Sequence, residues 1–302
     1  MAGFYTEASY ENAVIKIFTD VLGYQYIYAP ELERDYRNPF YEDALLSALR
    51  KINPKINNEA IQNALYKLHN FDSGSLLDKN ITFMNYLQNG IPVKYYENSR
   101  ECSGIVYLID YNHPAKNDFT VMNQWTFVEH SEKRADLVVF INGLPLVIME
   151  LKSPSREETG VEDAYNQLRN YMHEIPTMFI YNAICVISDM TVTKAGTVTS
   201  GIDRFMEWKT KDGNYEDTSY AKFETFYEGM FQKARLLDIL KNFILFSGTS
   251  TGRFKVLAGY HQYFAVRKAI EKAKVATKTD GKGGVFWHTQ GSGCLLYTSD
   301  AA

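Results

Sequence analysis

The residues with the clearest chemical potential lie in one stretch, Arg134-Ala-Asp136-Leu-Val-Val-Phe-Ile-Asn-Gly-Leu-Pro-Leu-Val-Ile-Met-Glu150-Leu-Lys152. Asp136 and Glu150 stand at the outer ends of two apolar runs, and Asn142-Gly143 between the runs signals a two-residue hairpin turn. Antiparallel pairing through that turn returns residues 149–151 beside residues 135–137, so the two carboxylates can share one divalent ion. Oxygen donors suit Mg2+, and the Leu151 carbonyl is a further candidate ligand. Glu150 and Lys152 are two apart and face the same side of their strand, whereas Leu151 faces the core. An ammonium in that position can orient a water and offset the charge that develops when a phosphodiester is attacked, without a covalent intermediate. Charges at strand ends are ordinarily just solvated. Beside long apolar runs, however, an unpartnered carboxylate is costly, so the spacing leaves both readings open.

The elements that must position these groups are legible around them. Gln167 and Tyr171 are four apart on a helical pattern over 159–173, so they share a face that can fold back over the strand end. Strands are predicted at 104–111, 119–127, 135–141, 145–151 and 177–188, and helices at 8–22, 40–50, 58–68, 75–89, 219–246 and 259–273. Residues 191–218 are polar, with short strands. The order is α/β: a mixed sheet whose apolar middle strands are covered by helices on both faces. A boundary to a second domain is placed near Thr249–Gly252.

Composition excludes several classes. The chain has 302 residues, is 45% hydrophobic and 23% charged, and carries a formal net charge of -4, so neither wholesale disorder nor a globally basic coat fits. No apolar run is long enough to span a membrane, and the N-terminus lacks a signal-peptide pattern. Cys102, Cys185 and Cys294 have neither zinc nor disulfide spacing, which points to a reduced, cytoplasmic protein. A basic excess runs from Arg253 to Lys282, and Lys133, Arg134 and Arg156 are placed to meet a phosphate.

Taken together, Arg-Ala-Asp136, Glu150-Leu-Lys152-Ser-Pro and Gln167-x-x-x-Tyr171 resemble the PD-(D/E)xK nuclease domain of the restriction and motor subunit of Type I restriction enzymes. Ala135 stands where the motif name has Pro. The resemblance takes in Tyr5-Thr-Glu7, Glu11, the Asp203–Trp208 and Gly259–Lys268 segments, and Gly284–Gly293. It implies a restriction-endonuclease-like sheet over residues 1–250, a linker and the start of a helicase-like α/β motor over 251–293, and a non-native tail over 294–302. It implies Asp136, Glu150, Lys152, Gln167, Tyr171 and an acidic residue of the first helix as catalytic residues. Glu7 and Glu11 both qualify, and Glu11 is favoured because it lies opposite the apolar stripe. It also implies Mg2+, with Asp136, Glu150 and Leu151 as ligands. ATP in the full-length protein would meet Gln262, Gly291 and Gly293. Cys294 and Leu295 replace the Lys and Ser/Thr that a working phosphate loop needs, so this chain is read as a fragment unable to hydrolyse ATP. The implied partners are double-stranded DNA and methyltransferase and specificity subunits. The implied reaction is cleavage without sequence preference. The alternatives are a silent DNA-binding or assembly module of the same complex, and a solitary nuclease of another DNA-processing system.

Overall fold

The computed structural model describes residues 6–152, 160–214, 223–249, 252–279 and 281–283. In chain order the elements are α1 (Glu7–Lys16), β1 (Gln25–Tyr28), α2 (Glu42–Ile52), α3 (Asn58–His69), α4 (Leu76–Asn89), β2 (Ile91–Glu97), β3 (Arg100–Val106), β4 (Phe119–Val128), β5 (Glu132–Ile141) and β6 (Leu144–Leu151). They continue with α5 (Val161–Glu174), α6 (Pro176–Ile180), β7 (Ile184–Ser188), β8 (Thr193–Gly196), α7 (Phe223–Met230), α8 (Lys233–Asn242), β9 (Ile244–Thr249), β10 (Gly252–Leu257) and α9 (Tyr260–Ala276). The central sheet has the order β1-β4-β5-β6-β7-β8. The pairs β1/β4 and β6/β7 are parallel, and the others are antiparallel. This is the mixed α/β sheet flanked by helices that the sequence predicts.

Both faces of the sheet are buried, each by its own core. On β5, Leu137, Val139 and Ile141 pack with α1, α2, α3, α4 and α8 on one face. Val138 and Phe140 pack with Ala164, Leu168 and Met172 of α5 on the other. Because no face meets water, β6 is buried at every position.

The β5–β6 turn is the predicted Asn142-Gly143, with φ of 53° and 78°. Asn142 is buried and saturated: its amide donates to the Leu108 carbonyl and to Asn117, and its Oδ1 accepts the Asp118 N–H at 2.8 Å. Past the turn the register shifts between Val139 and Phe140. Phe140 pairs with Pro145 but Val139 pairs with Val147, which leaves Leu146 as the extra residue of a β-bulge. A regular ladder would set Met149 opposite Asp136. The bulge advances the register by one and sets Glu150 there instead.

Several expected boundaries are corrected. The strand expected at 104–111 stops at Val106, because its partner β2 begins at Ile91 and the ladder has nothing further to pair with. The amide side chain of Asn53 takes over there, bonding both the N–H and the carbonyl of Tyr107. The strand expected at 177–188 is a short helix, α6, opened by Pro176, followed by β7 from Ile184. The helix expected at 219–246 breaks into α7 and α8, where Gln232 caps α8 by accepting the Arg235 N–H, and Ile244 already belongs to β9. The helix expected at 8–22 passes into a π-helical turn at Ile17–Val21. Trp125 and Trp208 are core residues.

Gly143 has the left-handed φ and no room: a Cβ there would fall on the Tyr41 carbonyl and the Leu45 amide. Gly143→Ala is expected to lower unfolding free energy by about 1–3 kcal/mol in urea denaturation. An unchanged midpoint would show that the hairpin turn does not hold β5 and β6 in place.

Candidate active site

The start of β5 and the end of β6 lie side by side at one end of the central strands, and their polar residues meet there. The Leu151 N–H donates to Asp136 Oδ2 at 2.8 Å, so a main-chain bond locks the aspartate onto the partner strand. Glu150 is wholly buried, and Asp136 is 9% exposed. Lys152 Nζ donates to Glu150 Oε1 at 2.7 Å and to Gln167 Oε1 at 2.6 Å. Gln167 Nε2 donates in turn to the Tyr171 hydroxyl at 2.6 Å, and that hydroxyl donates to the Arg134 carbonyl at 3.0 Å. The chain of bonds thus leaves β6, crosses one face of α5 and returns to β5 two residues before Asp136. The four-residue spacing of Gln167 and Tyr171 makes that possible.

Electrostatics follow from burial. Desolvation pushes Asp136 up to about 6, with Glu7 adding to the rise, while the Leu151 N–H and Lys152 pull the other way. Glu150 is raised well above the ordinary carboxylate range by burial, then by the Asp136 charge. Burial alone would lower Lys152, but its contact with Glu150 keeps it above its ordinary value, and Asp136 and Glu7 act in the same direction. Burial also raises the Tyr171 hydroxyl, which stays protonated as a donor.

One polar atom is left over. Glu150 Oε2 is buried without a hydrogen-bond partner among the described residues. The Asp136 carboxyl can serve it only when one of the two groups carries a proton. An orphaned carboxylate oxygen beside a second carboxylate is what a divalent cation fits, with the Leu151 carbonyl and waters to complete its shell. Among the described residues no group of three or more His, Cys, Asp or Glu side chains could hold a metal, so such an ion would rely on main-chain and water oxygens.

The structure therefore brings together Asp136, Glu150, Leu151, Lys152, Gln167 and Tyr171. It does not bring Glu11 to them. Both Glu11 oxygens are taken by amides of β4, from Asn123 at 2.6 Å and Gln124 at 2.8 Å. Gln124 holds a left-handed φ of 55° next to this grip. The exposed first-turn residue Glu7 is the acidic group of α1 whose charge reaches Asp136 and Lys152. The sequence pattern favours Glu11, whereas in the structure Glu7 is the acidic residue of α1 whose charge is felt there. The signal that separates them is the polar Asn123-Gln124 pair inside an otherwise apolar strand. Gln262 accepts the Gly259 N–H at 2.9 Å and caps α9. Gly291, Gly293, Cys294, Arg156 and the tail lie outside the described residues. Asp110 pairs with His113 in its own loop, and Asp118 pairs with Lys51 of α2.

Residues 4–204, two thirds of the chain, match the family model described as Type I restriction enzyme R protein N terminus. Residues 261–299 match the model for SWI2/SNF2 ATPase. The endonuclease subunit of the Type I restriction enzyme HindI from Haemophilus influenzae is 33% identical over 288 residues, covering 90% of this chain and 27% of that protein. A Methanocaldococcus jannaschii protein, provisionally named the type I restriction enzyme MjaIXP endonuclease subunit, is 32% identical over 315 residues, covering 94% of this chain and 30% of its own length. The Staphylococcus aureus SauMSSORF170P endonuclease subunit is 29% identical over 209 residues, covering 67% of this chain and 21% of its own. The chain thus spans under a third of the length of these relatives. No helix among the described residues is long and apolar enough to cross a membrane. The strand-end carboxylates, the bonded Lys–Gln–Tyr chain and the match over two thirds of the sequence lead to one conclusion: the chain belongs to the Type I restriction enzyme R protein N-terminal family.

Proposed function

We propose that this chain is the nuclease part of a Type I restriction endonuclease subunit, cutting phosphodiesters of double-stranded DNA with Mg2+ and without sequence preference. The observation that carries this reading is Glu150 Oε2, buried beside Asp136 with no hydrogen-bond partner among the described residues. Asp136, Glu150 and the Leu151 carbonyl would hold the ion, which when bound supplies Lewis-acid charge to the phosphate. The chain's own residues do the rest. Lys152, fixed between Glu150 and Gln167, points its remaining N–H at the attacking water and offsets the charge that builds on phosphorus oxygens. Gln167 fixes the ammonium, and Tyr171 fixes which end of the Gln167 amide faces Lys152. Glu7 supplies a further carboxylate at the mouth. None of these groups reads a base edge, so sequence choice falls to a separate specificity subunit, with a methyltransferase subunit completing a cytoplasmic complex.

The similarity of residues 261–299 to an ATPase supports ATP use by a longer protein, with Gln262, Gly291 and Gly293 at the nucleotide. Cys294 and Leu295 remove the groups needed to grip it and Mg2+, so this chain is not expected to hydrolyse ATP. The proposed limits are 1–250 for the nuclease, 251–293 for the linker and motor start, and 294–302 for a non-native tail.

Calorimetry with Mn2+ and a plasmid-nicking assay test the assignment. Wild type is expected to bind the ion and nick. Asp136→Ala is expected to lose both, while Lys152→Ala keeps binding and loses about 10²-fold or more in rate. Nicking by Asp136→Ala at the wild-type rate sinks the assignment, and binding without nicking by wild type assigns the silent module.

Proton release supplies a second test. Asp136 is raised to about 6 in the fold, so its ionisation costs stability in full above that pH and nothing below the ordinary carboxylate range. Without metal, Asp136→Asn should exceed wild type by on the order of 2 kcal/mol at pH 8 and match it near pH 4 in urea unfolding. Ion affinity of the wild type should rise with pH through the same window. Equal stabilities at pH 8 would mean that the pair is not strained by its charge.

A further inference from the structure

β4 and β5 change face at the same step. Met122, Trp125 and Phe127 of β4 share one core with Ala135, Val138 and Phe140 of β5, whereas Val121, Leu137 and Val139 lie in the other. Regular alternation would put Trp125 with Val121 and Ala135 with Leu137. The slip falls at Gln124 and Asp136. The ladder pairs Asn123 with Leu137 and Trp125 with Ala135 but skips the step between them. The β5–β6 ladder begins at Leu137, so Asp136 is outside the pairing on that side too. Released from both ladders, Asp136 takes the Leu151 N–H on its carboxylate at 2.8 Å.

Gln124 makes that step with a φ of 55°, in the left-handed region. A non-glycine residue there is strained, and the strain persists only where neighbours hold it. Glu11 of α1 is the neighbour that does so. The Tyr26 hydroxyl of β1 donates to Asn123 Oδ1 at 3.0 Å, which turns Nδ2 of that amide toward Glu11. Asn123 Nδ2 then donates to one Glu11 oxygen at 2.6 Å, and Gln124 Nε2 donates to the other at 2.8 Å. Glu11 and Asn123 are both buried, so these charge-assisted bonds meet little competition from water. A carboxylate offers an acceptor to both amides. A glutamine in its place would set its own amino group against one of them.

We propose that Glu11 is a positioning residue of this site: it holds the left-handed turn at Gln124, and that turn releases Asp136 from the ladder to meet Leu151 and Glu150. This rests on the nuclease reading given above. Glu11 acts through the backbone of β4 and is not a ligand of the ion. Its two oxygens are already taken, and the residue they bind stands opposite Asp136 in the register.

The test uses the whole chain with Glu11→Gln, with Gln124→Val, and with Glu11→Gln and Gln124→Gly combined. The readouts are Mn2+ affinity by calorimetry and hydrogen exchange of the Leu151 amide by NMR. Glu11→Gln and Gln124→Val are each expected to bind Mn2+ about tenfold more weakly than wild type and to exchange the Leu151 amide faster. Glycine takes a left-handed φ without strain, so adding Gln124→Gly to Glu11→Gln should recover most of both losses. A general loss of packing would not be repaired by removing a further side chain. A double variant no better than Glu11→Gln overturns the proposal, because the carboxylate would then be needed for itself. Wild-type affinity in Glu11→Gln or in Gln124→Val overturns it as well. If Glu11→Gln does not fold, Gln124→Val keeps the Glu11 carboxylate and decides alone. Failure of wild type to bind Mn2+ would instead remove the nuclease reading. Leu151 exchange still tests the turn in that case, because the bond to Asp136 needs no ion.

Discussion

Two carboxylates held together in a dry strand end must be neutralised, and the local architecture is organised around that need. At about 4 Å, like charges repel by about 4 kcal/mol at an effective dielectric constant near 20, before any cost of desolvation. Three neutralisers are present: the Leu151 N–H on Asp136, the Lys152 ammonium on Glu150, and a proton favoured by the raised affinities of both groups. Together they leave Glu150 Oε2 unserved. A protein needing only stability would have an apolar residue at position 150, since well-packed apolar groups usually match or exceed a buried ion pair. A charged group is kept there against that cost, which is the pattern of a binding site that is completed from outside.

The fold supplies what such a site needs in rigid parts. The hairpin turn fixes where β5 and β6 start together, and the bulge at Leu146 fixes which residues end together. Without the extra residue Asp136 would share its face with Met149, and no carboxylate pair would form. The crossover through α5 then returns Gln167 and Tyr171 over the same edge, because α5 packs its apolar stripe on the face that Val138 and Phe140 also use. The bonds from Lys152 to the Arg134 carbonyl close a loop through three elements. Lys152, a long side chain with much rotamer freedom, is thereby held in one place before substrate arrives.

Much of this was legible in the sequence because its signals are local. Asn142-Gly143 specifies a turn by its own backbone preferences, and a spacing of four puts Gln167 and Tyr171 on one face. What was not legible depends on partners distant in sequence. The bulge leaves no trace in β6, where every residue is buried and alternation carries no information about faces. The run from Thr177 to Ser188 is apolar throughout for the same reason, and only Pro176 hints that its first part is a helix. Glu11 and Glu7 are one helical turn apart, and the choice between them is made by Asn123 and Gln124 on another strand. An amphipathic pattern shows that a carboxylate faces away from the apolar stripe; it does not show whether amides there will occupy it.

The segment beyond the family match is joined to the site by the same kind of buried chemistry. Lys255 of β10 is 2% exposed, and its ammonium donates to the Asn182 carbonyl at 2.8 Å, an oxygen that also accepts from Asn80. The hydroxyls of Thr197 and Thr199 accept or donate along the Lys255 main chain. Burial lowers Lys255 to about 7, so it sits in the fold at a cost and leaves that position only by exposing a polar collar built for it. Asn182 lies just before β7, and β7 pairs in parallel with β6 from Ile184 to Ser188, ending beside Leu151 and sending its last carbonyl to the Lys152 N–H. The hairpin that leads into α9, and so into the ATPase-like residues, is thereby connected to Glu150 and Lys152 through one lysine and two paired strands. A displacement of that hairpin must either break those bonds or carry with it the strand end that holds Glu150 and Lys152.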